Sequence, residues 1–126
     1  MPFIRIKSLP LEASTSPADL VVGISADFAQ KLAVDEKHIS VTWEIFQSDH
    51  YASAGGLAKT QPLDHHPLLV EILAPDFNEK GTIKKMLEVT AESISRHSGI
   101  PESNIFINFT PARSGMVFDD GQLVHW

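Results

Sequence analysis

The chain has no cysteine. That removes disulfides, thiolate catalysis and Cys-ligated zinc from consideration. Basic residues are also few: ten Lys and Arg stand against sixteen Asp and Glu, a net charge of −6. No basic run is longer than Lys84-Lys85, so neither nucleic acid nor an anionic membrane is an expected partner. Long apolar runs are missing too. The opening MPFIRIKSLP is interrupted by Arg5 and Lys7, which fits neither a signal peptide nor a membrane span. These absences leave a cytoplasmic protein as the expectation. What is present is an ordinary globular balance, 43% hydrophobic and 21% charged over 126 residues, enough for one domain spanning 1–126 with a real core.

The chain says the same thing twice. Pro2-Phe-Ile-Arg-Ile6 opens the first half and Pro67-Leu-Leu-Val-Glu-Ile72 the second, each apolar and β-branched enough for a strand. In the first half Ser16, Pro17 and Asp19 form a helix start, and Leu20, Val21, Ile24, Phe28 and Leu32 share one helical face. A strand follows over His38–Phe46, with Ile39, Val41, Trp43 and Ile45 alternating. In the second half Asp76 or Asn78 is the expected cap. The stripe is Ile83, Met86, Leu87, Ala91 and Ile94, Gly99 is the stop, and Asn104–Phe109 is the matching strand. The pseudo-repeat covers 2–56 and 67–126.

Two β-α-β units give an α+β fold built of α/β-type units. One four-stranded mixed sheet carries both helices on a single face. The other face, with Trp43 and Ile107 or their neighbours, is expected to be apolar and to be buried by oligomerisation. The tail from Arg113 reads as a hairpin turning at Asp120-Gly121, a ribbon suited to docking on a neighbouring subunit. The stretch from Gln47 to His66 is the longest irregular segment, a length that is usually functional or disordered.

Chemistry points first to Pro2. With Met1 removed, Pro2 carries a free secondary amine, whose ordinary pKa of about 7.7–8.0 falls on burial or beside a cation. Such a group serves as a general base in a chain without thiols. The plain alternative is that Pro2 only stiffens a frayed end.

On these residues the chain resembles the tautomerase superfamily, that is, macrophage migration inhibitory factor and 4-oxalocrotonate tautomerase-like proteins. The resemblance is carried by Pro2, by the tandem repeat, by Asp49-His-Tyr-Ala-Ser-Ala-Gly-Gly56, and by Gly99-Ile-Pro-Glu-Ser-Asn-Ile-Phe-Ile-Asn-Phe109. It implies a homotrimer with each Pro2 at the bottom of a pocket between neighbours, and keto–enol chemistry on small 2-oxo or 2-hydroxydienoate acids without a cofactor. By position Asn108 matches a pocket asparagine, and Phe106 stands where relatives often have tyrosine. The basic residue common before the second long strand is missing, with Lys37 the nearest candidate. Ala74-Pro75 stands where some branches carry paired arginines, which speaks against dehalogenase and decarboxylase chemistry.

Arg113 suits a carboxylate substrate through paired hydrogen bonds, or is a solvated loop residue. His50 and Tyr51 either reach the pocket or simply cover the sheet. His65-His66 beside Asp64 is expected to be a poor chelate, because neighbours on an extended chain point to opposite faces; no metal site is expected. Asp119-Asp120-Gly121 reads as a turn. The functional expectation is a tautomerase or isomerase with Pro2 as general base, binding its acid through Arg113, Asn108, Phe106, Tyr51 and His50. The alternative is a non-catalytic trimeric binding protein of the same fold.

Overall fold

Alternation decides which face of each strand is buried. In β1 (Phe3–Ser8) Ile4, Ile6 and Ser8 point inward, while Arg5 lies exposed on the other side. In β3 (Leu68–Pro75) Leu68, Val70, Ile72 and Ala74 do the same. These residues form the floor of the core in the computed structural model, which describes residues 1–126. Helix α1 (Pro17–Leu32) lays Leu20, Ile24 and Phe28 onto that floor. Helix α2 (Lys80–Ser98) adds Met86 and Ile94. With β2 (Ser40–Ile45) and β4 (Ile105–Ala112) the sheet order is β2-β1-β3-β4. The pairs β1–β2 and β3–β4 are parallel and the central pair β1–β3 is antiparallel, as two β-α-β units joined at their first strands require. No helix is long and apolar enough to cross a membrane.

The helix ends explain themselves locally. The Ser16 side chain accepts the Asp19 amide and Pro17 fills the first turn. Gly99 closes α2 in the left-handed conformation, φ 78°. The expected cap of α2 does not form. Glu79 occupies the N-cap position without a side-chain bond, while the Asn78 amide donates to Pro75 O (2.7 Å) and Asp76 accepts from Trp126 Nε1 (2.9 Å). The helices are tied to each other by Asp27 of α1, which accepts from Ser93 Oγ (2.6 Å), His97 Nε2 (2.9 Å) and Arg96 of α2. The His97 ring lies over Gly23, where a Cβ would come within 2.6 Å of it. This crossing rotates the buried stripe of α2 toward Val89, Thr90 and Ser93, leaving Ile83, Leu87 and Ala91 half-buried.

The open face of the sheet differs from expectation. Trp43 and Ile107 pack on the helix side against the core, and Trp43 Nε1 donates to the buried Ser8 Oγ (2.9 Å). The face away from the helices is mixed. Arg5 pairs with Glu71 (3.0 Å) and Lys7 with Glu44 (3.7 Å), beside exposed Leu69 and Phe106. Exposed pairs of this kind contribute about 0–1 kcal/mol each.

The tail forms β5 (Val117–Asp119) and β6 (Gln122–Val124), turning through Asp120 (φ 50°) and Gly121 (φ 77°). Two successive left-handed residues match a type I′ turn, which is why Asp-Gly serves here. The ribbon is anchored within its own chain. Trp126 donates from its backbone to Ser114 Oγ (2.8 Å), packs edge-on against Phe77, and reaches Asp76 as described.

Candidate functional site

Pro2 is buried rather than frayed. Its carbonyl accepts the Ser40 amide (3.1 Å), which extends the β1–β2 ladder one residue past the first strand position. Half-buried Met1 and Pro2 then face a cavity of about 210 Å³ at this end of the sheet. Phe3 and Ser40 form two walls and Leu73 of β3 a third. Val117, Phe118 and Asp119 of the ribbon close the fourth. The Asp119 carboxylate is the one charged side chain in the wall, and its Oδ1 accepts the Asp120 amide (2.9 Å).

The strand directions sort the other candidates by position. β4 runs opposite to β1, so its C-terminal end comes back to the Pro2 end. Exposed Arg113, directly after β4, therefore lies at that end but outside the cavity wall. Phe106 is level with Leu69 and hence with Lys7; Asn108 is level with Glu71 and Arg5. Both sit on the open face in a second hollow of about 340 Å³ shared with Arg5, Lys7 and Glu71. Within one chain the structure does not bring Pro2 together with Phe106 or Asn108. Lys37 is held in the short turn before β2, 3.7 Å from Asp35, and is outside the Pro2 wall.

His50 and Tyr51 belong to the 46–67 connection, at the far end from Pro2. The Tyr51 hydroxyl donates to Pro67 O (2.8 Å) and its ring meets Phe46 and His66 edge-on. Burial pushes its pKa above the ordinary phenol value. His65 and His66 do not point apart as an extended chain would make them. His66 takes a left-handed backbone, φ 50°, and its Nδ1 meets His65 Nδ1 at 2.8 Å. His66 Nε2 reaches Gly56 O (2.8 Å), and Gln61 and Asn104 bind the carbonyls of His66 and His65. A buried histidine with both ring nitrogens engaged fastens the long connection. No three His, Asp or Glu side chains converge anywhere in the chain.

Sequence reasoning missed Ser40, Val117, Phe118 and Asp119. The Asp-Asp-Gly turn signal located the hairpin, but only the anchoring of Trp126 on Asp76 shows where the ribbon lies.

The chain matches no protein-family model and no curated protein. Solved structures resemble it closely in shape. The protein Pt0534, inactivated by 2-oxo-3-pentynoate, superposes with a TM-score of 0.83 at 13% identity, covering 97% of this chain and 94% of that one. A fused 4-OT asymmetric trimer gives 0.81 at 11% identity, with 97% and 95% coverage. A macrophage migration inhibitory factor homologue from Prochlorococcus marinus gives 0.74 at 21% identity, with 98% and 99% coverage. The fold is that of the tautomerase superfamily.

Proposed function

We propose that this protein, once Met1 is removed, is a tautomerase or closely related isomerase that uses the Pro2 amine as general base on a small 2-oxo or 2-hydroxydienoate carboxylic acid. The observation that carries this reading is the burial of Pro2 beside a cavity at the sheet end. A general base works when its pKa approaches the working pH, and removal from water favours the neutral amine. The step is a proton transfer. The C–H electron pair next to the carbonyl stays with the substrate as an enolate, the proton moves to the Pro2 nitrogen, and it returns at another atom.

A single chain keeps Pro2 and the pair Phe106–Asn108 apart, so the complete pocket requires a second copy. A homotrimer supplies it, each Pro2 end meeting the Phe106 and Asn108 hollow of a neighbour. Fused 4-OT relatives of the same fold are trimers, which supports this assembly. Arg113, at the Pro2 end, is the candidate anchor for the substrate carboxylate.

One observation favours the alternative, a non-catalytic trimer that binds small acids. No cation lines the Pro2 wall, and Phe106 offers no hydroxyl. The deciding experiment combines intact mass with an enolisation assay on a phenylpyruvate-like or 2-hydroxydienoate compound. Activity is expected only in protein whose mass lacks Met1. Correctly processed trimer that is inert on every acid tried would establish the binding reading instead.

A further inference from the structure

We propose that Asp119 is a positioning residue of the Pro2 site, the carboxylate partner of the terminal amine; this rests on the proton-transfer reading above. The ribbon could have closed the cavity with apolar side chains alone, as Val117 and Phe118 do. Instead it presents an ionisable group into a wall otherwise made of Met1, Phe3, Ser40 and Leu73. Asp119 and Pro2 line the same cavity of about 210 Å³. The Asp119 side chain is exposed and bonds within its own turn. Its Oδ1 is fixed by the Asp120 amide, and the I′ turn behind it permits few other backbone arrangements.

Within one chain no other charged side chain lines the cavity. From β1, Arg5 is spent on Glu71 (3.0 Å) and lies over the Phe3 ring. From β2 and the turn before it, Glu44 faces Lys7 and Lys37 faces Asp35. From β3 the wall residue is Leu73, and Asp76 beyond it holds Trp126. Arg113 and Asp120 lie outside the wall.

The consequence is electrostatic. When Pro2 takes a proton from substrate it becomes an ammonium, and an opposite charge close by favours that form. Asp119 thus makes Pro2 a stronger base than burial alone would leave, much as a buried carboxylate supports a catalytic imidazole. Burial lowers the amine's pKa and Asp119 raises it. Removing the carboxylate must move the titration downward.

The test reads the amine itself. Protein lacking Met1 is exposed to cyanate, which carbamoylates only the neutral amine, and modification of the N-terminal peptide is followed by mass spectrometry against pH. Asp119→Asn should lower the midpoint by about 0.5–1 unit, whereas Asp119→Glu should stay near wild type and Asp120→Asn should not move it. Turnover on an enolisable acid, measured above both midpoints, should fall in Asp119→Asn and recover in Asp119→Glu. Midpoints of Asp119→Asn and wild type that coincide, with far-UV circular dichroism unchanged, would overturn the proposal whatever the activity. A shifted midpoint in a protein inert on every substrate would support the Asp119 pairing and overturn the tautomerase reading instead.

Discussion

The two ends of the sheet differ in how their polar groups are employed. At the far end, Tyr51, Gln61, His65, His66 and Asn104 bind one another or nearby carbonyls, and together they fasten the 46–67 connection. At the near end, Pro2 and Asp119 line a cavity that the ribbon walls on one side. The richer collection of titratable side chains is therefore the structural one. Residue type alone does not mark a site; what matters is whether the side chain's bonding capacity is already consumed by the fold.

The sharpest way to break this comparison is at Pro2. Pro2→Ala keeps a terminal amine but changes its basicity and rigidity, and turnover should fall by at least about 100-fold, the scale of a lost general base. A retained Met1 should abolish it. Steady-state kinetics on protein of verified mass checks both, and full activity in either form would collapse the distinction between the ends.

The far end should answer in stability instead. His66→Ala leaves a buried gap and strands the partners of both ring nitrogens, so urea denaturation should show a loss of about 2–3 kcal/mol. The cyanate titration of the Pro2 amine should stay where it was. A shift there would show that the two ends communicate.

A third test lies between the helices, away from both ends. Burial alone would raise the pKa of Asp27, but hydrogen bonds from Ser93, His97 and Arg96, with the Arg96 charge, outweigh it and hold the carboxyl below its ordinary value. A depressed folded-state pKa contributes stability above the unfolded value, about 3.9, and that contribution disappears as pH falls through the folded value. Asp27→Asn should cost about 1–2 kcal/mol at neutral pH. It should also flatten the fall in stability between about pH 5 and pH 3, as followed by thermal melts.

The smallest effect is expected at Arg113. Arg113→Ala should raise KM for a carboxylate substrate by about tenfold with little change in kcat, the signature of an anchor that binds ground and transition states alike. Unchanged kinetics would leave Arg113 a solvated loop residue.

Much of this was legible from local pattern. The repeat, the α1 cap at Ser16, the Gly99 stop and the Asp120-Gly121 turn depend on residues within a few positions of each other. What local pattern did not supply was relative placement. β2 puts its apolar residues on one face and β4 has Phe106 on the other, but neither pattern says which face meets the helices. The pairing register, which sets Trp43 beside buried Ile6 and Ile107 beside buried Val70, turns both inward. His65-His66 was misjudged for a similar reason. A left-handed residue at 66 turns two rings toward each other, and nothing in a histidine predicts that backbone. Pro2 was readable as a candidate from position alone. Asp119 was not, because it lies seven residues past the end of β4, on a ribbon whose resting place local pattern does not give.

The repeat makes the chain pseudosymmetric, and Pro67 stands before β3 as Pro2 stands before β1, at opposite ends of the same sheet. With Met1 removed, as proposed, the two prolines are geometric counterparts and chemical opposites. The Pro67 nitrogen has its lone pair delocalised into the peptide bond with His66, so it is neither base nor nucleophile, and its carbonyl is occupied by Tyr51. Doubling the β-α-β unit within one polypeptide thus duplicates the scaffold without duplicating the reagent. On the proposed removal of Met1, each chain would offer one reactive terminus for two equivalent sheet ends.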